Sequence, residues 1–417
     1  MSMMMRRGMM VPAVVPGGLP GDYLRVQYIQ GTGTQYIITN LTGNIDREWI
    51  FDISDFDKNG NSYAPLFGIA VVGSNLGVYL ANIKIYTAFG NKGDITYNTT
   101  VSGWTNRFTL RQSKDGVYEN DTHVLNAYSS LTYGSSDIPM AFPGRNGANG
   151  VERITGAKIY GFVCKENGVV IADYVPCIRI SDSKPGMYDL VGRQFYVNQG
   201  TGEFVVGWYV DDGLIFHMDG ADRGGVSGQW TDKVNGYTFE IPEAVTETQL
   251  GVVFPSNSTQ HIRYDGDVFP TIVDDAYKTI TTEYCYSEVS AGYGQNIFIL
   301  QSVGTEKPCA HVSDSVCVYA NTSHNNRGVG VIRGMNSIIS LNNDRGFFNG
   351  IPLEVTLYSP SASYNNRYTT IGSNQGLSYR FKGTIHSIRV YNRKLTEAEM
   401  LQNQRVDNFR YQLGLTI

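Results

Sequence analysis

Charge is what this sequence has least of. Of 417 residues, 17% are Asp, Glu, Lys or Arg, against roughly 25% in an average globular chain. Basic residues number 33 and acidic ones 38, a net charge of −5. A generic nucleic-acid binder needs a basic excess to neutralise phosphates, so that class is excluded. Cysteine is scarce too. Cys164, Cys177, Cys285, Cys309 and Cys317 are odd in number, form no C-x-x-C pair and have no His cluster beside them. The usual zinc ligand sets and a dense disulfide framework are thereby excluded, and buried free thiols are the preferred reading. No window approaches the ~20 apolar residues that span a bilayer, so no membrane partner is expected. The six histidines never fall in an H-x-x-x-H pair, and Gly31-Thr32-Gly33 precedes a strand rather than a helix, which removes a phosphate loop.

What is present points to strands. Tyr numbers 28, Phe 18, Trp 4 and Gly 47, and 41% of residues are hydrophobic. Disorder needs the opposite balance. Helix surfaces are normally built from Glu, Lys, Ala and Leu, whereas Tyr with Gly suits strands and tight turns. Past Gly21, short β-branched or aromatic runs (Tyr23 to Ile29, Gln35 to Thr39, Trp49 to Ile53, Leu66 to Val72) alternate with Gly, Asn, Asp and Ser clusters, the pattern of an antiparallel sandwich or barrel. Asn59-Gly60 and Asn167-Gly168 each lie between two such runs and predict type I′ hairpins, because Asn-Gly tolerates positive φ at both central positions.

One segment predicts a helix. Thr396 and Glu399 have capping-box spacing, with Leu395 and Met400 placed as a hydrophobic staple. The apolar period beyond them runs toward Phe409 and sets a helix from Glu397 to about Asn408. A domain boundary falls near Trp208–Gly213, where the run Gly200–Gly207 reads as a closing strand and Gly213–Asp219 opens another. The chain thus divides into an arm over 1–18, a first domain over 19–208 and a second over 209–417.

The arm, MSMMMRRGMMVPAVVPGG, carries Met3, Met4, Met5, Arg6, Arg7, Met9 and Met10. Gly8, Pro12 and Pro16 interrupt its apolar stretch, so it does not read as an export signal. Two readings stand: a disordered tail, and an anchor whose flexible, polarisable Met side chains fill grooves on a partner.

Two stretches carry a resemblance. Leu19-Pro20-Gly21-Asp22-Tyr23 through Gln27-Tyr28-Ile29 and Gly31–Ile37 resembles the opening of a concanavalin A-like sandwich module, frequent in structural proteins of tailed phages from gut bacteria. Lys158–Phe162, Asp173–Cys177, Gly186–Val191, Phe195-Tyr196 and Gly200–Phe204 agree with its end, while about 52–149 matches nothing placed. Leu214–Asp219, Trp230–Gly236 and Phe381–Arg393 leading into Leu395–Glu399 resemble a laminin-G-like module of the same superfamily, which ends in a strand followed by a capped helix. The resemblance implies an all-β chain of two tandem jelly-roll sandwiches with a short C-terminal helix, and binding of glycans or proteins.

Candidate chemistry is sparse. Some proteins of this fold are glycoside hydrolases, which need two carboxylates about 5–5.5 Å apart for retention. The strings E-x-D-x-E and E-x-D-x-x-E are absent; Glu119-Asn120-Asp121 is followed by His123 and Val124 instead of a second Glu. Glu48 and Asp52, at i and i+4, would share a strand face. Glu240, Glu243 and Glu247 lie in a Pro-containing acidic stretch that reads as a solvated loop. The expectation is a non-enzyme. Asp55, Asp57 and Asn59 match the first half of a calcium loop, but Leu66 stands where its bidentate Glu belongs; a polar hairpin tip is the preferred alternative. Calcium near Asp219 and Asp222 is implied only by the laminin-G resemblance. Sugar rings present apolar faces, so Trp104 with Asn106, in a polar Gly-containing stretch, is the candidate glycan site. Against it stands ordinary core packing, which is also the reading of Trp230.

The expected protein is therefore a virion component of a tailed phage, as a head fibre, capsid decoration or tail fibre. It is made in the host bacterial cytoplasm and held on the particle surface by its arm, which contacts other virion proteins. Its sandwiches meet host-surface or mucus glycans or one another in a homo-oligomer, a trimer first. The alternatives are a bacterial surface or secreted lectin and a glucanase-like hydrolase.

Overall fold

The structure, a computed structural model, describes residues 18–57, 64–70, 75–81, 84–90, 92–98, 105–125, 132, 137–255, 260–266, 268, 280–288, 295–302, 305–313, 316–318, 335–342, 345–353, 366–373 and 380–417. Among them it is an all-β chain, with the helix Glu397–Arg410 (α1) near its C-terminus. The chain divides into two compact units, 1–208 and 209–417. The arm residues Met3 to Met10 lie outside the described residues.

In the first unit an eleven-stranded sheet runs from Thr122–Leu125 through Gly116–Glu119, Phe108–Ser113, Arg47–Asp57, Gly156–Glu166, Val169–Arg179 and Lys184–Asp189 to Gln194–Val197. An eight-stranded sheet covers one face of it, and residues of both share a single core. Along Arg47–Asp57 the alternation is strict over the six residues Glu48 to Ile53: Trp49, Phe51 and Ile53 are buried, while Glu48, Ile50 and Asp52 are half-buried on the other face. The Phe51 ring stacks on Phe162 at 4.3 Å and on Phe67 of the opposing sheet at 4.5 Å. Offset aromatic pairs of this kind contribute ~0.5–1.5 kcal/mol beyond burial, so this spine fixes which face looks outward. Asn167 and Gly168 take φ of 49° and 79° between Gly156–Glu166 and Val169–Arg179, as a type I′ turn requires. Asn59-Gly60 lies outside the described residues. The predicted closing strand is shorter than expected: only Val205–Gly207 pairs, against Tyr28–Thr32, and the Gly-rich stretch before it is a loop.

The second unit also has two sheets around one core, where Trp230, Phe239 and Ile371 of one face Met218, Tyr286 and Ile388 of the other. Trp230 is fully buried and its indole N–H donates to the Asp219 carbonyl, in agreement with a packing role. α1 starts as predicted: Thr396 Oγ1 accepts from the Glu399 N–H, and the Glu399 carboxylate accepts from the Thr396 N–H. Leu395 and Met400 pack together beneath that first turn.

What ties α1 to the outer face of its sheet is polar. Arg389, wholly buried, donates to Glu283 at 2.8 Å and with two nitrogens to Asp407. Asn403 and Ser340 donate to Glu283, and the Tyr209 hydroxyl donates to Asp407 at 2.8 Å. Burial pushes the Glu283 carboxyl up, Arg389 opposing it; burial works against the Arg389 charge, but Asp407 and Glu283 outweigh it and hold that guanidinium ionised. The cluster has no exposed atom to offer a substrate, so it is a clasp for the helix. Cys164, Cys177 and Cys285 are buried free thiols, and burial pushes the first two up to about 12.

Candidate functional site

Five strands of the first unit present an outward row. Register places His123, Tyr118, Arg111, Ile50 and Val163 as direct cross-strand neighbours on Thr122–Leu125, Gly116–Glu119, Phe108–Ser113, Arg47–Asp57 and Gly156–Glu166. Side chains stand perpendicular to a sheet, so the planar groups at one end stack like books. The exposed His123 ring lies 4.4 Å from Tyr118 at 19°, and the Arg111 guanidinium lies 3.6 Å from the centre of the same phenol ring. Cation–π contacts at exposed sites contribute roughly 0.5–1 kcal/mol. The Arg111 Nε–H is buried without a hydrogen-bond partner, and its Nη1 reaches Glu48 only at 3.4 Å.

Charged pairs flank the row. Glu48 also faces Lys165 at 4.0 Å. Asp52 accepts two bonds from Arg107, at 2.9 and 2.7 Å, and the Arg107 guanidinium covers the Tyr160 ring at 3.9 Å. Lys158 pairs with Asp55 at 2.8 Å and sits 4.8 Å over Tyr28. Imidazole, phenol and guanidinium edges, with carboxylates beside them, give a comb of donors and acceptors on an open sheet face.

Each sequence candidate now has a place. Glu48 and Asp52 do share the face, but four residues of strand separate them by about 13 Å, too far for either glycosidase geometry, and each is held by cations. The reading of the acidic stretch as a solvated loop holds for Glu243, in an exposed turn, and is corrected for the other two: Glu240, also exposed, lies on the strand Thr238–Glu240, and Glu247 lies on Thr246–Thr248, where Arg223, Ser227 and the Gly228 N–H all donate to it. Glu119 is buried, and Asn120 and Asp121 form a positive-φ turn. His123 belongs to the row.

In the calcium-loop candidate, Asp55 takes Lys158 and the Ser54 hydroxyl, Asp57 is exposed, and Asn59 lies outside the described residues. Of the two carboxylates for which the resemblance implied calcium, Asp219 accepts from Arg410 at 2.7 Å and Tyr411 at 2.9 Å, and Asp222 pairs with Lys233 at 2.7 Å. Among the described residues no group of three or more His, Cys, Asp or Glu side chains could hold a metal, and no helix is long and apolar enough to cross a membrane. Trp104 lies outside the described residues; Asn106 is exposed, one residue before Arg107. Tyr118, Arg111, Arg107 and Tyr160 escaped the sequence reading. Their places in Arg107–Arg111, Gly116–Glu119 and Gly156–Glu166 carry the signal, but only once the register is known.

No family model and no curated protein matches the chain. Among solved structures, a Trypanosoma rangeli sialidase with the inhibitor DANA is similar at TM-score 0.37 and 9% identity, covering 81% of this chain and 61% of that one. The same sialidase with sialic acid gives 0.37, 10%, 83% and 62%. Domain 4 of AbnA, a GH43 arabinanase from Geobacillus stearothermophilus, in complex with arabinotriose gives 0.32 and 13%, over 46% of this chain and 98% of that one. The chain thus spans about three-fifths of the length of the sialidases. These matches correct one expectation. The non-enzyme reading rested on acid strings of one kind of hydrolase, whereas the similar structures include sialidases and a domain of an arabinanase; that reading is withdrawn.

Proposed function

We propose that this chain is a glycan-contacting protein carried on the surface of a tailed-phage particle, with the outer face of its first unit as the contact. The observation that carries the glycan reading is the stacked row His123–Tyr118–Arg111, partly open to solvent and bordered by Glu48, Asp52 and Arg107. Hydroxyl-rich ligands need many donors and acceptors at close spacing, and planar groups on which C–H faces rest. A rigid sheet holds both without ordering cost at binding. The balance of charges across the face favours neutral or weakly charged saccharides over polyanions.

The particle assignment rests on the module signatures at Leu19–Ile37 and Phe381–Glu399 and on the Met-rich arm as an anchor to other virion proteins. Self-association as a homo-oligomer, a trimer first, fits a projecting fibre. Two experiments test the two parts. On a glycan array the full chain should bind a defined set of oligosaccharides, and Tyr118→Ala should lose them; no binding to any glycan overturns the glycan reading. Mass spectrometry of purified particles should find the chain at a fixed copy number, and its absence overturns the virion assignment. Release of sugar on the same array reads turnover separately from binding.

A further inference from the structure

The second unit has a basin of its own. The loop Gly220–Gly228 and the residues beside the strand Thr246–Thr248 enclose about 670 Å³, lined by Asp222, Arg223, Val226, Ser227, Glu247 and Gln249 among others. That volume is in the range of about 300–1,000 Å³ common to small-ligand sites.

Its walls are pre-formed. Gly224, Gly225 and Gly228 take φ of 103°, 78° and 77°, conformations that a side chain would strain. The loop is pinned along its length: Gly220 N–H donates to the His386 carbonyl, Ala221 N–H to the Asp219 carboxylate, and Thr231 N–H to the Arg223 carbonyl. Glu247 locks the other side, accepting from Ser227 Oγ and the Gly228 N–H with one oxygen and from Arg223 Nε with the other. The Gly228 N–H, with Ser227 and Arg223, holds that carboxyl below its usual range, so it stays ionised.

The lining leaves a specific set of groups unused. Arg223 spends Nε on Glu247 and Nη1 on the carbonyls of Gly220 and Thr248. Its Nη2 has no hydrogen-bond partner among the described residues, so two N–H donors remain on a guanidinium that cannot swing away. Gln249 is exposed and its carboxamide likewise has no partner there. Val226 is 55% exposed, an apolar surface beside these polar groups. The formal charge balances: Arg223 with Glu247, and Asp222 with Lys233 at 2.7 Å. Two carboxylates at the rim disfavour an anion, and the single guanidinium is already neutralised, so neither a phosphate nor a carboxylate is selected.

We infer that this basin binds a single neutral sugar ring, with hydroxyl oxygens accepting from Arg223 Nη2, a vicinal hydroxyl pair on the Gln249 amide and the apolar ring face on Val226. The inference rests on the glycan reading above but places a second, smaller site on the other unit. Saturation-transfer NMR on the full chain tests it, with methyl glycosides of galactose, mannose and N-acetylglucosamine as probes and glucuronate and inorganic phosphate as anionic controls.

At least one neutral glycoside should receive saturation from the wild type and from Tyr118→Ala. The transfer should fall at least fivefold in Val226→Asp and in Gln249→Ala, both exposed positions whose unfolding midpoint should not move, and the anions should receive none. Transfer that survives both basin substitutions, or that goes only to the anions, overturns the inference. So does absence of transfer from the wild type to all three glycosides, while oligosaccharide binding on the array, lost in Tyr118→Ala, would still uphold the first-unit reading. Transfer lost in Tyr118→Ala but kept in the basin variants separates the two in the same way.

Discussion

At the scale of single residues, the buried groups of the second unit make the sharpest predictions. Arg389 pairs with both Glu283 and Asp407 inside the fold, and removing one partner of a buried ion network costs about 3–5 kcal/mol because the others are left uncompensated. Arg389→Ala should therefore lower the unfolding free energy in urea by that amount; a loss below 1 kcal/mol would mean water reaches the network. His217 is buried, its Nε2 has no hydrogen-bond partner, and burial pushes it down to about 3. The folded chain refuses a proton that the unfolded chain takes near pH 6.5. His217 thus contributes stability that is complete above pH 6.5 and is lost as pH falls toward 3, at up to ~1.4 kcal/mol per pH unit. His217→Phe should flatten the fall in stability between pH 6.5 and 5, measured by urea unfolding at each pH. An unchanged slope would assign the proton uptake elsewhere, His261 and His386 being the other histidines among the described residues that are held low, chiefly by burial.

At the scale of elements, α1 was fully legible because its signal is local. Thr396, Glu399, Leu395 and Met400 lie within six residues and need no partner to be recognised, and the observed Glu397–Arg410 differs from the expected end by two residues. Thr396→Ala should cost about 1 kcal/mol, with a range of roughly 0.5–2, read as a lower unfolding midpoint; no change would mean the polar clasp alone sets the helix start. The Asn167-Gly168 hairpin was legible for the same reason. The outward row was not. Tyr118 and Arg111 are seven residues apart, and Ile50 and Val163 more than a hundred, and nothing local says that they are neighbours. Only the pairing of Arg47–Asp57 with both Phe108–Ser113 and Gly156–Glu166 brings them to one line. Glu48 and Asp52 show the converse failure: period-2 alternation placed them on one face, but strand rise puts them too far apart to act as a pair. The low net charge also concealed the ion pairs of that face, since composition counts charges and says nothing of where they meet.

At the scale of the whole molecule, scarce charge and abundant Tyr now have locations. Phe and Trp fill the two cores, Tyr and Arg stand together on the first unit's outer face, and the second unit buries Arg389, Glu283 and Asp407 between α1 and its sheet. The proposed contact is the first unit's face, binding glycans through the stacked row. The most direct measurement is calorimetric titration of the array's best oligosaccharide into the full chain and into Tyr118→Ala. Removing one stacked ring is worth about 1.4 kcal/mol, or tenfold in affinity. Tyr118→Ala should bind about tenfold more weakly, with the unfolding midpoint lowered only by the loss of the ring's contacts with Arg111 and His123. Equal affinity in the two proteins would contradict it.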